Sequence, residues 1–363
     1  MGVLPIQLQD KTYDVVIEPN GYERLATEYA PLLKTTDRIG IIVDETVHTL
    51  YSEQLKRFEQ LHNEVHTFVV PKGEACKTLD VYGRAQSFLL QKGFTRNSLL
   101  FAFGGGAVGD LTGFIAATFM RGIRFIQLPT TVLAHDSAVG GKTAINLPEG
   151  KNMVGAFHQP EAVIFDLNIF KTLPEREWRS GMAELIKHAY ISDATWTEQL
   201  LQDEQFVQPA FDTLEEQLLK GVAVKAKIVE EDTFEHGSRK FLNFGHTLDH
   251  AIEAATNFGT LSHGECVMVG MAYALLLSEK ASTLQTGEAK KFIQFAKRQG
   301  YSFDSIFEYS FETLYQFMQK DKKASFGTLH FVILEQSGHP NVMTVDESLC
   351  REVFEEMRQL IEG

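Results

Sequence analysis

Six short apolar runs punctuate the first half of the chain: YDVVI (13–17), RIGIIV (38–43), HTFVV (66–70), SLLFAF (98–103), RFIQL (124–128) and AVIFD (162–166). Longer amphipathic stretches separate several of them, residues 78–92 being one. Strand, helix, strand at this spacing is the pattern of a parallel sheet with helices on its faces. The pattern stops near residue 173. From about residue 175 to residue 300 the periodicity is helical, and only GTLHFVIL (327–334) and NVMTV (341–345) read as extended, enough for a short ribbon. A chain of 363 residues is long for one domain. The expectation is two: an α/β domain over 1–173 built on a Rossmann-like parallel sheet, and a mostly α-helical domain over 174–363, with Pro174 at the boundary.

In open α/β sheets ligands bind beyond the carboxyl ends of the strands. Those ends here carry Asp44, PKGEACK (71–77), GGGAVGD (104–110) and PTT (129–131), which predicts one extended ligand site. Gly104, Gly106 and Gly109 satisfy G-x-G-x-x-G between a strand and a helix, where small residues let backbone N–H groups approach a pyrophosphate. The acidic residue expected about 20 positions later is missing. The motif also follows the fourth strand instead of the first. A tight strand–helix turn is the plain alternative, and Asp44, at the end of an earlier strand, is the acidic group available to a ribose.

The 48 Asp and Glu against 34 Lys and Arg leave a formal net charge of −14, and there is no long basic run. Nucleic acid and anionic membranes are therefore poor partners. An anionic small molecule would need a local cluster of cations. DSAVGGKTAIN (136–146) and GKNMVGAF (150–157) provide one, with Asp136, Lys142, Lys151 and Asn152 in a Gly-interrupted stretch. GGKT is not a Walker A loop, because Asp136 stands where its first glycine is required. The plain alternative is a surface loop with solvated lysines. The three cysteines, Cys76, Cys266 and Cys350, are far apart and odd in number, which argues for a reducing compartment. The start MGVLPIQLQD lacks the regions of a signal peptide, and no apolar run approaches the ~20 residues of a membrane span. These features predict a cytoplasmic protein.

His246 and His250 in LNFGHTLDHAIE (242–253) lie one helical turn apart, on one face. The spacing is that of H-E-x-x-H, but Thr247 replaces the Glu that a zinc protease needs as its base. His263 follows in LSHGECV, and Glu184 stands in GMAELIKHAY (181–190). A catalytic zinc takes three protein ligands and keeps a fourth position open, so one Glu and two His would suffice. Each histidine alone reads better as a structural residue; three within eighteen residues do not. Which of the histidines would be ligands is not decided by spacing.

The stretches GGGAVGD, LPTTVLAHDSAVGGKTAIN, GKNMVGAFHQP, KTLPEREWRSGMAELIKH, KFLNFGHTLDHAIE and LSHGECVMVGM, in this order from about Asp44 to Lys323, resemble the 3-dehydroquinate synthases. The wider superfamily also holds other sugar-phosphate cyclases and metal-dependent polyol dehydrogenases. The resemblance implies an NAD-dependent phosphorus–oxygen lyase with a divalent metal, usually zinc, with cobalt also accepted. It implies conversion of 3-deoxy-D-arabino-heptulosonate 7-phosphate to 3-dehydroquinate and phosphate, a step of the shikimate pathway to aromatic amino acids. The implied sequence is transient oxidation by NAD, phosphate elimination, re-reduction, ring opening and aldol closure.

Carried over by motif position, the implied metal ligands are Glu184, His246 and His263, while His250 faces substrate. Asp44, Glu74, Lys77, Gly105, Gly106, Asp110, Thr130, Thr131, Lys142, Lys151, Thr172 and Glu177 are the implied NAD site. Asp136, Lys142, Asn152, Lys187 and His250 are the implied catalytic groups. Arg121, Lys151, Lys225, Arg239 and Asn243, with Lys322 or Lys323, are the implied substrate contacts, Arg121 reaching across a homodimer. One departure stands out: LAHDSA is one residue shorter than the LAQVDSS common in the family, and carries His135. A phosphate site together with Lys225 and Arg239 as a carboxylate clamp favours a phosphorylated, carboxylated sugar acid over a neutral polyol. The alternatives are another cyclase of the superfamily or a polyol dehydrogenase.

Overall fold

The structure is a computed structural model that describes residues 2–8, 11–233, 237–256, 261–320 and 329–362. The strands are β1 (Val3–Gln7), β2 (Thr12–Glu18), β3 (Ile39–Asp44), β4 (Val65–Val70), β5 (Leu99–Gly104), β6 (Arg124–Pro129), β7 (Lys142–Leu147), β8 (Gly150–Phe157), β9 (Ala162–Asp166), β10 (Leu329–Gln336) and β11 (His339–Val345). The helices that carry functional groups are α1 (Glu45–Leu50), α2 (Leu79–Gln91), α3 (Gly106–Thr118), α4 (Glu175–Ser192), α5 (Phe211–Glu231), α6 (His246–Ala255) and α7 (His263–Ala281). Two compact units result, Met1–Leu173 with Phe211–Glu230, and Pro174–Ala210 with Glu231–Gly363.

The first unit is built on a sheet of order β1-β2-β9-β6-β5-β3-β4. The six apolar runs of the first half are β2 to β6 and β9, all parallel to their neighbours in this group. β3, β5 and β9 are buried at every residue. Strands covered on both faces need continuous apolar sequence, which is why RIGIIV, SLLFAF and AVIFD do not alternate. β3 leads to β4 on one side while β5 lies on its other side, so the strand order reverses between β3 and β5. That crevice is where open α/β sheets take ligands. Register brings the strand ends level: Val43 lies opposite Phe103, and Gly104 opposite Pro129.

Three features depart from the sequence reading. β1 is an antiparallel edge strand on β2, with only Ile6 fully buried; five residues with one buried side chain carry little pattern to read. The Gly–Lys stretch is not a loop: β7 and β8 form an antiparallel hairpin, pairing Lys142 with Phe157 through to Leu147 with Gly150. Thr143, Ala144 and Ile145 are buried, and glycines and lysines hide that short apolar core in the sequence. Finally, a single division at Pro174 does not describe the chain. α5 packs with the first unit along Leu214, Leu218, Val222 and Val229, and Glu230 accepts a hydrogen bond from the Gln7 backbone N–H. Its helical period is the same as that of the helices around it, so only contact assigns it.

In the second unit α7 is buried along nearly its whole length and packs against α4 and α6. Gly270 permits this: a β-carbon there would lie 2.0 Å from the Gly245 carbonyl oxygen, just before α6 begins. The expected ribbon is the β10–β11 hairpin. No helix among the described residues is long and apolar enough to cross a membrane.

Candidate active site

β5 ends at Gly104, and Gly105 caps α3, so the glycine-rich turn opens a helix as its sequence predicts. Asp44, at the end of β3, is buried. Its Oδ1 accepts from the N–H groups of Thr46 and Val47, each at 2.9 Å, and so caps α1. Its Oδ2 is turned toward the turn, where a β-carbon on Gly104 would come within 3.1 Å of it. Burial raises the Asp44 carboxyl, against the pull of those two N–H groups. One oxygen is thus spent on the cap, and the other sits at the β3–β5 crevice beside Gly104. Thr130 is buried and its N–H donates to Gly104 O at 3.0 Å. Thr131 packs against Gly105. Thr172 is exposed and bonds the Tyr51 hydroxyl.

A polar network lies beside this turn. Lys77 is almost fully buried, and its Nζ donates to Asp110 Oδ2 at 2.6 Å and to Asn152 Oδ1. Burial works against the Lys77 charge, yet Asp110 and Glu74 outweigh it and raise the ammonium above its ordinary value. Asn146 ties the hairpin in: its Nδ2 donates to Glu74 at 2.7 Å, its Oδ1 accepts from the Asn152 N–H at 2.9 Å, and its own N–H donates to Lys77 O at 2.7 Å. Asn152 adopts a left-handed φ of 56° within β8. Asn146 was not singled out in the sequence, and no local signal marks it. Asp136 meets Lys225 of α5, with Nζ 3.1 Å from Oδ2 and a further bond to the Asp136 carbonyl. Lys142 is exposed at the start of β7 and Lys151 is half-buried. His135, in the shortened loop, is fully buried, with Nδ1 2.8 Å from Val132 O. Arg121 is exposed, at the end of a turn in which Met120 and Arg121 are both left-handed, φ 49° and 71°.

In the second unit three helices bring Glu184 (α4), His246 (first residue of α6) and His263 (first residue of α7) together. Glu184 Oε1 stands 3.7 Å from His246 Nε2 and 3.0 Å from His263 Nε2. Ligand atoms around a tetrahedral zinc lie roughly 3.4 Å apart. The two measured distances bracket that value, and one carboxylate with two imidazoles is a donor set zinc accepts. The residues fit a divalent metal. Burial opposes charge on His263, but Asp249, Glu184 and Glu253 overcome it and raise the imidazole well above its ordinary value. His250 stacks on His246 at 5.4 Å between ring centroids and is half-buried. Asp249 and Glu253, on the same face as the histidines, were missed in the sequence; their signal was the i+3 and i+7 spacing from His246.

Lys187 pairs with Glu184 one turn along α4, both fully buried. Arg239 is also buried, donating to Thr233 O, and Asp232 accepts from its backbone N–H at 3.0 Å. Asn243 is half-buried at the end of the same short 3-10 segment. Burial raises the Glu177 carboxyl, with Arg176 opposing. Lys322 and Lys323 lie outside the described residues.

Family models described as 3-dehydroquinate synthase N-terminal and C-terminal match residues 67–180 and 181–324. A protein of Lysinibacillus sphaericus (strain C3-41) named 3-dehydroquinate synthase is 50% identical over 358 residues, 99% of this chain and 98% of that one. Among solved structures, a 2-deoxy-scyllo-inosose synthase complexed with carbaglucose-6-phosphate, NAD+ and Co2+ aligns with a TM-score of 0.88 at 26% identity, covering 98% of this chain and 99% of its own. A 2-epi-5-epi-valiolone synthase from Streptomyces hygroscopicus subsp. jinggangensis 5008, with NAD+ and Zn2+ bound, aligns with a TM-score of 0.83 at 25% identity, covering 98% of each chain.

Proposed function

The chain belongs to the 3-dehydroquinate synthase family, and from that premise we propose that it converts 3-deoxy-D-arabino-heptulosonate 7-phosphate to 3-dehydroquinate and phosphate. The observation that carries the reading is the convergence of Glu184, His246 and His263, a three-ligand set for zinc or cobalt on a chain of this family. Identity of 50% to a named 3-dehydroquinate synthase, against 26% to an inosose synthase of the same fold, favours this substrate over those of the other cyclases. When bound, NAD would accept and return a hydride, and the metal would lower the pKa of the hydroxyl being oxidised.

The remaining work falls to the chain's own side chains. Asp44 offers its free-facing carboxylate oxygen to a ribose, and the N-terminus of α3 with Gly105 and Gly106 takes the pyrophosphate. Glu74, Lys77, Asp110, Thr130, Thr131, Thr172 and Glu177 complete the nucleotide site; the Lys77–Asp110–Asn152 network keeps an ammonium charged and fixed beside it. Asp136, Lys142, Lys151 and Asn152 bind the phosphate end, Lys142 and His250 move protons, and Lys225 serves the carboxylate. Lys187, Arg239 and Asn243 contact the rest of the substrate, Arg239 as a bidentate partner of its carboxylate. The working form is a pair of chains in the cytoplasm, each lending Arg121 to its partner's phosphate site. The consecutive left-handed Met120 and Arg121 support that role, since such backbone strain is retained where geometry serves a function.

Phosphate release from the heptulosonate phosphate tests the reading, with NAD+ well below substrate and before and after chelation and zinc return. Many phosphates per NAD+, no accumulated NADH and recovery with zinc are expected. Steady NADH from simple polyols without phosphate release would move the chain to dehydrogenase chemistry.

A further inference from the structure

We infer that Asp249 and Glu253 are positioning residues for the metal ligands, holding the far nitrogens of His246 and His263 so that both Nε2 atoms face Glu184. The inference rests on the ligand assignment above. His246 Nδ1 lies 3.1 Å from Asp249 Oδ2, an ion-pair contact that a small rotation of either group would align as a hydrogen bond. His263 Nδ1 lies 3.3 Å from Glu253 Oε1 and 3.7 Å from Asp249 Oδ2. Asp249 therefore stands between the two rings, and Glu253 supports one of them. Both carboxylates are buried, Asp249 completely.

Helix geometry produces the arrangement. His246, Asp249, His250 and Glu253 are residues i, i+3, i+4 and i+7 of α6, which share one face. α7 approaches α6 closely because Gly270 has no side chain, so His263 enters the same cluster from a second helix. An imidazole that binds metal through one nitrogen carries its proton on the other. A carboxylate accepting that proton's hydrogen bond fixes the tautomer and ring orientation and makes the ligand more basic. Each ring here has Glu184 on its Nε2 side and a carboxylate on its Nδ1 side. One ring cannot turn both nitrogens to a single ion, so Asp249 and Glu184 cannot share an ion with both histidines.

Glu184, Asp249 and Glu253 gather three buried carboxylates around the two rings, and Lys187 pairs with Glu184.

The test measures zinc affinity by chelator competition on the full-length protein, beside Asp249→Asn, Glu253→Gln and Glu184→Ala, with melting of the metal-free forms. Glu253→Gln should weaken zinc about 10-fold and Asp249→Asn about 100-fold, since it loosens both rings. Metal-free melting can fall with either variant, since each removes a buried ion-pair partner of His263, so zinc affinity is the deciding readout. Glu184→Ala should lose zinc most severely. Unchanged zinc affinity with a lowered melting temperature would make the two carboxylates merely structural and overturn the inference. Loss in Asp249→Asn as severe as in Glu184→Ala would make Asp249 a ligand, and overturn it too. If Asp249→Asn does not fold, Glu253→Gln alone decides. Full zinc binding by Glu184→Ala would remove the ligand assignment itself and the inference with it.

Discussion

Replacing Asp110 by Asn should destabilise the first unit more than replacing Lys77 by Met. Lys77 is buried and its Nζ sits 2.6 Å from Asp110 Oδ2. At an effective dielectric constant of 20, two unit charges at that distance attract by about 6 kcal/mol. Desolvation consumes most of this in the native pair, so the pair's net worth is small. Breaking one side is a different matter, because the buried partner keeps its desolvation cost; such losses run to about 3–5 kcal/mol. The Asp110 side chain retains 22% exposure, and the ammonium keeps its bond to Asn152. Those two facts place Asp110→Asn near the low end, about 3 kcal/mol. In Lys77→Met the half-buried Asp110 can hydrate, and the loss should be about 1–2 kcal/mol. The double variant should cost less than the sum of the two.

The readout should be hydrogen exchange of amides in β5 and α3, because a chain of two units need not unfold in one step. The pH dependence has a definite sign. Lys77 has a folded value above its ordinary 10.5, so its contribution is complete below 10.5 and is lost as pH rises through the folded value. The stability gap between wild type and Lys77→Met should therefore hold at neutral pH and close in strong base. Both single variants should also weaken NAD binding. Losses below about 1 kcal/mol for Asp110→Asn, or strict additivity in the double variant, would show that the network is not a coupled ion pair.

Gly270→Ala would place a β-carbon 2.0 Å from Gly245 O, next to His246. It should cost about 1–3 kcal/mol or more from overpacking and release zinc; a variant with wild-type zinc content and melting would refute the close-packing argument. Arg121→Ala and Lys142→Ala, each inactive, should complement when unfolded together and refolded. Random pairing of two such chains leaves one intact site in half of the dimers, about a quarter of wild-type activity, and no recovery would sink the shared site.

How much of this was legible beforehand follows from where the information lies. Runs such as SLLFAF and AVIFD announced buried parallel strands, since a strand covered on both faces has no polar alternation to lose. GHTLDH carried its helical phase openly, so two histidines on one face could be read directly. The glycine turn, Asp44 at a strand end, and the motifs that resemble a known family were all local, and local pattern is what a sequence states. The β7–β8 hairpin was hidden because its apolar core is only Thr143, Ala144 and Ile145 among glycines and lysines. Tertiary structure alone decided the rest. Lys77 and Asp110 meet across 33 positions, and His263 meets Glu184 across 79. Asp249 meets a second imidazole, and Glu253 meets one, only because α7 packs against α6. α5 joined the first unit though its period matches the helices around it. Local propensity fixes which segments become strands and helices. Which charges face each other depends on packing, and close packing at points such as Gly270 is set by atoms far apart in the chain.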